Sequence, residues 1–151
     1  MLDFGYIRLY NVPTLTKHYG VKTMPYINKE QKAEKTVRLK ALAKEYGIKA
    51  TVARDNHDTI ALNISGGKID FFGSYADVDT NYSSSYIQVN EYFIERDFTG
   101  IAQEFLLKAH EIMNEGNYNN SDAMIDYFDR GWYIRINIGQ WNKPYKLALA
   151  A

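Results

Sequence analysis

The sequence predicts an α+β fold, in which an antiparallel sheet of about four to five strands has two main helices packed on one face. Two segments, 29–46 and 100–115, repeat apolar residues at the spacing of a helix, and several shorter segments alternate apolar with polar residues. The strand-like segments follow one another along the chain, which favours antiparallel hairpins. A chain of 151 residues is long enough for one hydrophobic core.

The pattern indicates one α+β domain over 29–151, preceded by an N-terminal arm over 1–28. Residues 4–10 of the arm alternate like a strand, but Pro13 and Pro25 interrupt regular structure. Neither a repeat nor a low-complexity segment marks a second domain.

The first helix is predicted over 29–46. Asn28 is a suitable N-terminal cap, and Gly47 stands where a left-handed residue ends many helices. Its apolar stripe consists of four residues: Leu39, Leu42, Ala43 and Tyr46.

The second helix is predicted over 100–115, with Thr99 as its cap and Gly116 as its end. Its apolar residues form one arc from Ile101 to Met113, and only Leu107 lies outside that arc.

Three consecutive strands are predicted after the first helix. Residues 48–54 and 59–64 alternate, and Gly66-Gly67 is a two-residue hairpin signal. A turn at these glycines places Ile64 opposite Ile69 and Leu62 opposite Phe71, which predicts an antiparallel meander.

Two further strands are predicted over 86–94 and 132–138, separated from the meander by a polar loop at 73–85. The second is the clearer, because Trp132, Ile134, Ile136 and Ile138 share one face. A short helical turn is predicted within 122–129.

Charge is sorted along the chain. Residues 1–69 carry twelve Lys or Arg against six Asp or Glu, whereas residues 70–130 carry three against twelve. Such a separation shapes the surface potential and hence the choice of partner. It fits both head-to-tail association and folding of one half on the other, so the oligomeric state stays undetermined.

Composition excludes several classes of protein. The chain has no cysteine, so disulfides and thiolate chemistry are excluded. No signal peptide and no apolar run long enough to cross a membrane is evident. We therefore expect a cytoplasmic protein without a membrane partner.

No catalytic or metal-binding motif is present. The histidines His18, His57 and His110 lack metal-ligand spacing, and a structural role is expected for His110. The run from Asp77 to Asn81 starts like an EF-hand loop but lacks its glycine and its bidentate glutamate. We expect no cofactor, no metal and no catalytic residue.

Two sets of residues are predicted to contact a partner. The first is acidic and aromatic, because tyrosine and carboxylates suit a protein interface. It comprises Asp77, Asp79, Tyr82, Tyr86, Tyr92, Asp126, Tyr127, Asp129 and Tyr133. The second is basic and lies on one face of the first helix: Lys29, Lys40 and Lys44.

The phrases GNYNNSD, DYFDRGWY and NIGQWNKPY, with the earlier LKALAKEYGIKATVARDNHDTIALNIS, resemble one family over about 36–145. It is one of the large polyvalent protein-associated domains carried by phages and plasmids. The resemblance implies a mobile-element context and carries no catalytic residue over to this chain.

Three functions remain open on these observations. The first is a non-enzymatic binding protein that inhibits a host defence system such as CRISPR or restriction. The alternative is a nucleic-acid-binding accessory module that uses the basic, tyrosine-containing N-terminal half, including Tyr6, Arg8 and Lys17. An enzyme with a cleft near Trp132 and Asp126 ranks last.

Overall fold

The computed structural model describes residues 25–75, 86–122, 124 and 129–148. Its helices are α1 (Lys29–Glu45), α2 (Phe71–Ser74), α3 (Ile94–Asp97) and α4 (Gly100–Asn114). Its strands are β1 (Ile48–Asp55), β2 (Thr59–Gly67), β3 (Ile87–Val89), β4 (Tyr133–Ile138) and β5 (Lys146–Leu147). The predicted α+β class and strand number are confirmed.

The sheet is mixed rather than wholly antiparallel. Its strand order is β1-β2-β4-β3, and β5 pairs with β2 at Gly66 and Gly67. The β1–β2 and β3–β4 pairs are antiparallel, whereas β2 pairs in parallel with β4 and β5. The parallel pairing follows from the long helical connection that returns the chain to the start of β2.

The predicted hairpin at Gly66-Gly67 is wrong. Strand β2 continues through both glycines, and Gly67 pairs with Ile48 of β1. A Cβ on Gly67 would lie 2.5 Å from the carbonyl oxygen of Gly47, so the glycine permits a close backbone approach. The chain then enters α2, which begins with the fully buried Phe71, and the meander has two strands instead of three.

The predicted strand over 86–94 is too long. Strand β3 ends at Val89, and the side chain of Asn90 accepts a hydrogen bond from the amide of Tyr92 at 3.0 Å. This local bond closes a turn that the apolar pattern does not show. Helix α3 follows and buries Ile94.

Helices α1 and α4 begin and end close to their predicted bounds. Asn28 and Gln31 form a capping box at the start of α1. Thr99 is the N-cap residue of α4, although its side chain makes no capping bond. Both helices pack on one face of the sheet, where their apolar residues meet Ile60, Leu62 and Ile64 of β2. Ile101, expected in the apolar arc, is 58% exposed.

Several sequence predictions lie outside the described residues: the strand at 4–10, most of the polar loop at 73–85 and most of the helical turn at 122–129.

Candidate functional site

The predicted acidic and aromatic contact residues are only partly within the described chain. Asp77, Asp79, Tyr82, Asp126 and Tyr127 lie outside it. Of the remainder, Tyr92 and Tyr133 are 68% and 42% exposed, and Tyr86 is half-buried.

Asp129 does not present a carboxylate to solvent. It is 3% exposed, and its backbone amide donates to the Ser121 hydroxyl at 2.9 Å while its carbonyl accepts from the amide of Asn120 at 2.7 Å. These backbone bonds tie Asp129 to Ser121 and Asn120, and its role as a partner contact stays a prediction.

A cleft of about 230 Å³ lies where β3, α4 and the start of β4 meet. The turn after β3, helix α4, the segment after α4 and Arg130, which lies shortly before β4, all contribute to its walls. Its lining residues are Glu91, Tyr92, His110, Asn114, Asn117, Tyr118, Asn119 and Arg130.

The Asn117 side chain fixes one wall of this cleft. Its Oδ1 accepts the amide hydrogen of Trp132 at 2.9 Å, and its Nδ2 donates to the Trp132 carbonyl at 3.0 Å. The side-chain amide thus takes the place of a paired strand residue. Beside it, the Gly131 amide donates to the Tyr118 carbonyl at 2.9 Å, and Asn119 forms a β-bridge with Arg130. These bonds position Arg130 on the rim.

Arg130 stacks on an exposed tyrosine. Its guanidinium carbon lies 4.9 Å from the ring centroid of Tyr133, within the range of a cation–π contact. Among the described residues Arg130 forms no ion pair. Tyr92 and Tyr118, which line the same cleft, are 68% and 44% exposed. We call Tyr92, Tyr118, Arg130 and Tyr133 the Tyr–Arg surface.

His110 and Glu91 face each other in the described lining of the cleft. His110 Nε2 lies 3.6 Å from Glu91 Oε1 and makes no hydrogen bond. This nitrogen is shielded from solvent, so a substrate in the cleft does not reach it. The described ranges contain no group of three His, Cys, Asp or Glu residues that could hold a metal ion.

A second, polar depression of about 480 Å³ lies on the other side of Tyr133. Tyr133 and Arg135 of β4 line it together with Gln88 of β3. Arg135 pairs with Asp55 at 2.9 Å on the sheet face that the helices leave open. Tyr133 therefore connects this polar face with the Tyr–Arg surface.

The basic contact residues Lys29, Lys40 and Lys44 are all exposed on α1. None contributes to the lining of the cleft, and none forms an ion pair with another described residue. They form a separate charged surface.

Two members of the Tyr–Arg surface, Tyr118 and Arg130, were not among the predicted contact residues. The sequence offered an indication for Arg130, because it is one of three basic residues in the acidic segment 70–130. It offered none for Tyr118, whose place on the cleft depends on the bridge between Asn119 and Arg130.

Comparisons with family models, curated proteins and solved structures find no match to this chain. The resemblance to the polyvalent protein-associated domains thus stays a prediction. None of the helices in the described ranges has the length and apolar character needed to cross a membrane.

Proposed function

We propose that the protein is a small, non-enzymatic binding protein of a phage or plasmid that inhibits a host defence component, such as a CRISPR or restriction effector. The Tyr–Arg surface is the observation that carries the proposal. Tyrosine and arginine dominate the binding energy of many protein interfaces, because they combine a large apolar area with directional polar groups.

The geometry of the Tyr–Arg surface suits contact with a protein. Arg130 is held between the cleft and the Tyr133 ring, and its charge is not neutralised by another described residue. Because the bonds of Asn117 and Gly131 fix the surrounding backbone, little conformational freedom is lost when a partner binds.

The same cleft gives little support to an enzyme. Its volume of about 230 Å³ is small for a substrate pocket. The Nε2 atom of His110 is shielded, and the described lining of the cleft contributes no serine, threonine or lysine as a nucleophile. The third hypothesis therefore has a cleft near Trp132, but the described lining adds no nucleophile to it.

A phage plating assay tests the proposal. Expression of the protein in bacteria that carry a restriction or CRISPR system is expected to restore plating of the targeted phage. The variant Tyr92→Ala/Arg130→Ala/Tyr133→Ala is expected to lose this effect, because it removes the binding side chains. Trp141→Ala is the matched control, since Trp141 is 76% exposed and lies outside the cleft.

Thermal unfolding of each variant separates loss of binding from loss of fold. Protection that survives in the triple variant, or that disappears with Trp141→Ala, would contradict the proposed surface. No restoration of plating against any defence system tested would refute the anti-defence function itself.

The alternative, a nucleic-acid-binding accessory module, is supported by Lys29, Lys40 and Lys44 on α1, which form no ion pair with another described residue. The tyrosines that would stack on bases lie in the arm outside the described residues. A gel shift at low salt with single- and double-stranded DNA and RNA tests it, because binding to phosphates weakens steeply as salt rises. Absence of a shift would eliminate this alternative.

A further inference from the structure

Strand β1 is one of the two strands at the ends of the described strand order, and the other is the three-residue β3. Strand β1 pairs with β2 on one side, and no other described strand pairs with it. The described residues of β1 contain no proline, and the one irregularity of pairing lies at its start, between Lys49 and Ala50. Proline and bulges are common means of blocking an edge strand, so most of this edge is able to accept another strand.

The hydrogen-bonding direction of β1 follows from β2. The amide of Tyr133 donates to the Asp58 carbonyl and that of Gly139 donates to the Ile64 carbonyl, both at 2.8 Å. From Thr59 to Ile64, the even-numbered residues of β2 therefore bond with β4, and the odd-numbered residues bond with β1. In register, Thr51 is opposite Asn63 and Ala53 is opposite Ala61.

The backbone groups between these bonded residues point away from the sheet. They are the amides and carbonyls of Ala50, Val52 and Arg54, which alternate with the residues that bond to β2. Three successive outward positions match the spacing of an added antiparallel or parallel strand.

A row of lysines on α1 lies beside this edge. Successive helix residues are about 100° apart, which places Lys29, Lys32, Lys40 and Lys44 in an arc of about 120°. The opposite flank of α1 contacts the end of α4, where Lys35 donates to the Ile112 carbonyl and Arg38 pairs with Glu115. The lysine arc is therefore on the flank nearest the free edge of β1.

A groove of about 650 Å³ connects the lysine arc with β1. It is lined by Lys29, Lys32, Ala33, Thr36, Val37 and Arg54. Val37 is 70% exposed, and the described chain offers no acidic partner to either lysine. The groove thus combines an apolar surface with three cationic side chains.

We propose that the β1 edge binds an extended, acidic segment of a partner protein as an added strand. The outward backbone groups of Ala50, Val52 and Arg54 supply the main-chain hydrogen bonds. The lysine arc and the groove both lie on the helix side of the sheet, so they select carboxylates at every second position of the added strand, while the intervening apolar residues face the other side.

Two other occupants fit less well. A second copy paired through β1 would bring one lysine arc against the other, and like charges repel. A nucleic acid would satisfy the lysines, but its backbone has no alternating amides and carbonyls to pair with the strand edge.

Fluorescence anisotropy on the full chain tests the proposal. The probe is a labelled ten-residue peptide in which Glu alternates with Val, and the control probe carries Lys in place of Glu. The acidic probe is expected to bind, with an affinity that falls as the salt concentration rises. The basic probe is not expected to bind.

Two variants test the two halves of the proposed site. Val52→Pro removes an outward amide without breaking a bond to β2, so it leaves the fold intact and weakens binding by about tenfold or more. Val52→Thr keeps the amide and is the control. Lys29→Gln/Lys40→Gln/Lys44→Gln is expected to lower affinity to a similar extent, while Lys143→Gln leaves it unchanged.

The proposal is overturned if the acidic probe does not bind, if the basic probe binds equally, or if Val52→Pro binds as the wild type does. Tight binding of a labelled oligothymidine that Val52→Pro does not affect would assign the lysine arc to nucleic acid. A dimer in light scattering that Val52→Pro dissociates would assign the edge to a second copy. The Tyr–Arg triple variant is expected to retain peptide binding, so this test is independent of the proposed function.

Discussion

Lys35 closes the carboxyl end of α4 from inside the core. It is 2% exposed, and its Nζ donates to the carbonyls of Ile112 at 3.0 Å and Glu115 at 2.7 Å. Trp132 donates to the next carbonyl, that of Met113, at 2.9 Å. Three carbonyls at the helix end are thereby satisfied, and the positive charge faces the negative end of the helix dipole.

Removal of this charge is expected to destabilise the fold. Lys35→Met keeps the aliphatic stem but removes one donor from each of two helix-end carbonyls, which costs about 2 kcal/mol. Urea unfolding measures the change, with Lys40→Met on the exposed side of α1 as the control. Equal unfolding midpoints for the two variants would show that Lys35 does not hold the helix end.

Tyr145 makes the stability of the fold depend on pH in the alkaline range. Its hydroxyl donates to the Ile69 carbonyl at 2.6 Å, and burial raises the pKa of Tyr145 to about 12. The pKa of this tyrosine is lower in the unfolded chain, so the folded state keeps the proton to a higher pH. Tyr145 therefore contributes fully to the free energy of unfolding below pH 10. This contribution is lost as the pH rises towards 12.

The matched variant for this effect is Tyr145→Phe. It is expected to be less stable than the wild type at neutral pH, because it loses one hydrogen bond worth about 1 kcal/mol. The difference in the free energy of unfolding should shrink as pH rises above 10, since only the wild type has this proton to lose. A difference that stays constant with pH would contradict the assignment.

At the scale of the elements, Gly67 decides how β2 ends. Its φ of +146° and the 2.5 Å approach to the Gly47 carbonyl oxygen exclude a side chain. Gly67→Ala is expected to cost about 3 kcal/mol in thermal or urea unfolding. Gly100→Ala is the control, because a Cβ there meets no atom within 4 Å, and its left-handed φ alone costs about 1 kcal/mol. Equal costs would refute the close approach.

The helices were predictable because their signals are local. Asn28 caps α1 through its own neighbour Gln31, and the apolar stripes repeat within one element. The end of β2 was not predictable. The sequence Gly66-Gly67 is typical of a hairpin turn, and only the tertiary structure shows that both glycines pair with β1 and β5 instead. The parallel pairing of β2 with β4 also depends on residues far apart in the chain.

At the scale of the whole molecule, the charge separation along the chain is partly cancelled by folding. Arg38 from the basic half pairs with Glu115 of the acidic segment, and Arg135 pairs with Asp55. Lys108 and Glu104 pair within α4 at 3.6 Å. The lysine arc of α1 is not compensated in this way, because its four members have no described acidic partner.

Only part of the candidate site could be predicted from the sequence. Tyr92 and Tyr133 were expected at a contact surface from residue type, and both are exposed. Asp129 was expected there too, but it is buried, and its backbone bonds with Asn120 and Ser121. Residue type predicts which side chains suit an interface, whereas burial is set by tertiary structure.

The most direct test of the account is affinity capture from lysates of bacteria that carry a restriction or CRISPR system, followed by quantitative mass spectrometry. The immobilised wild type and Trp141→Ala are expected to enrich the same defence protein. Tyr92→Ala/Arg130→Ala/Tyr133→Ala is expected to lose that enrichment while remaining folded. Enrichment of no defence protein by the wild type, or equal enrichment by the triple variant, would contradict the claim that the Tyr–Arg surface binds a defence component.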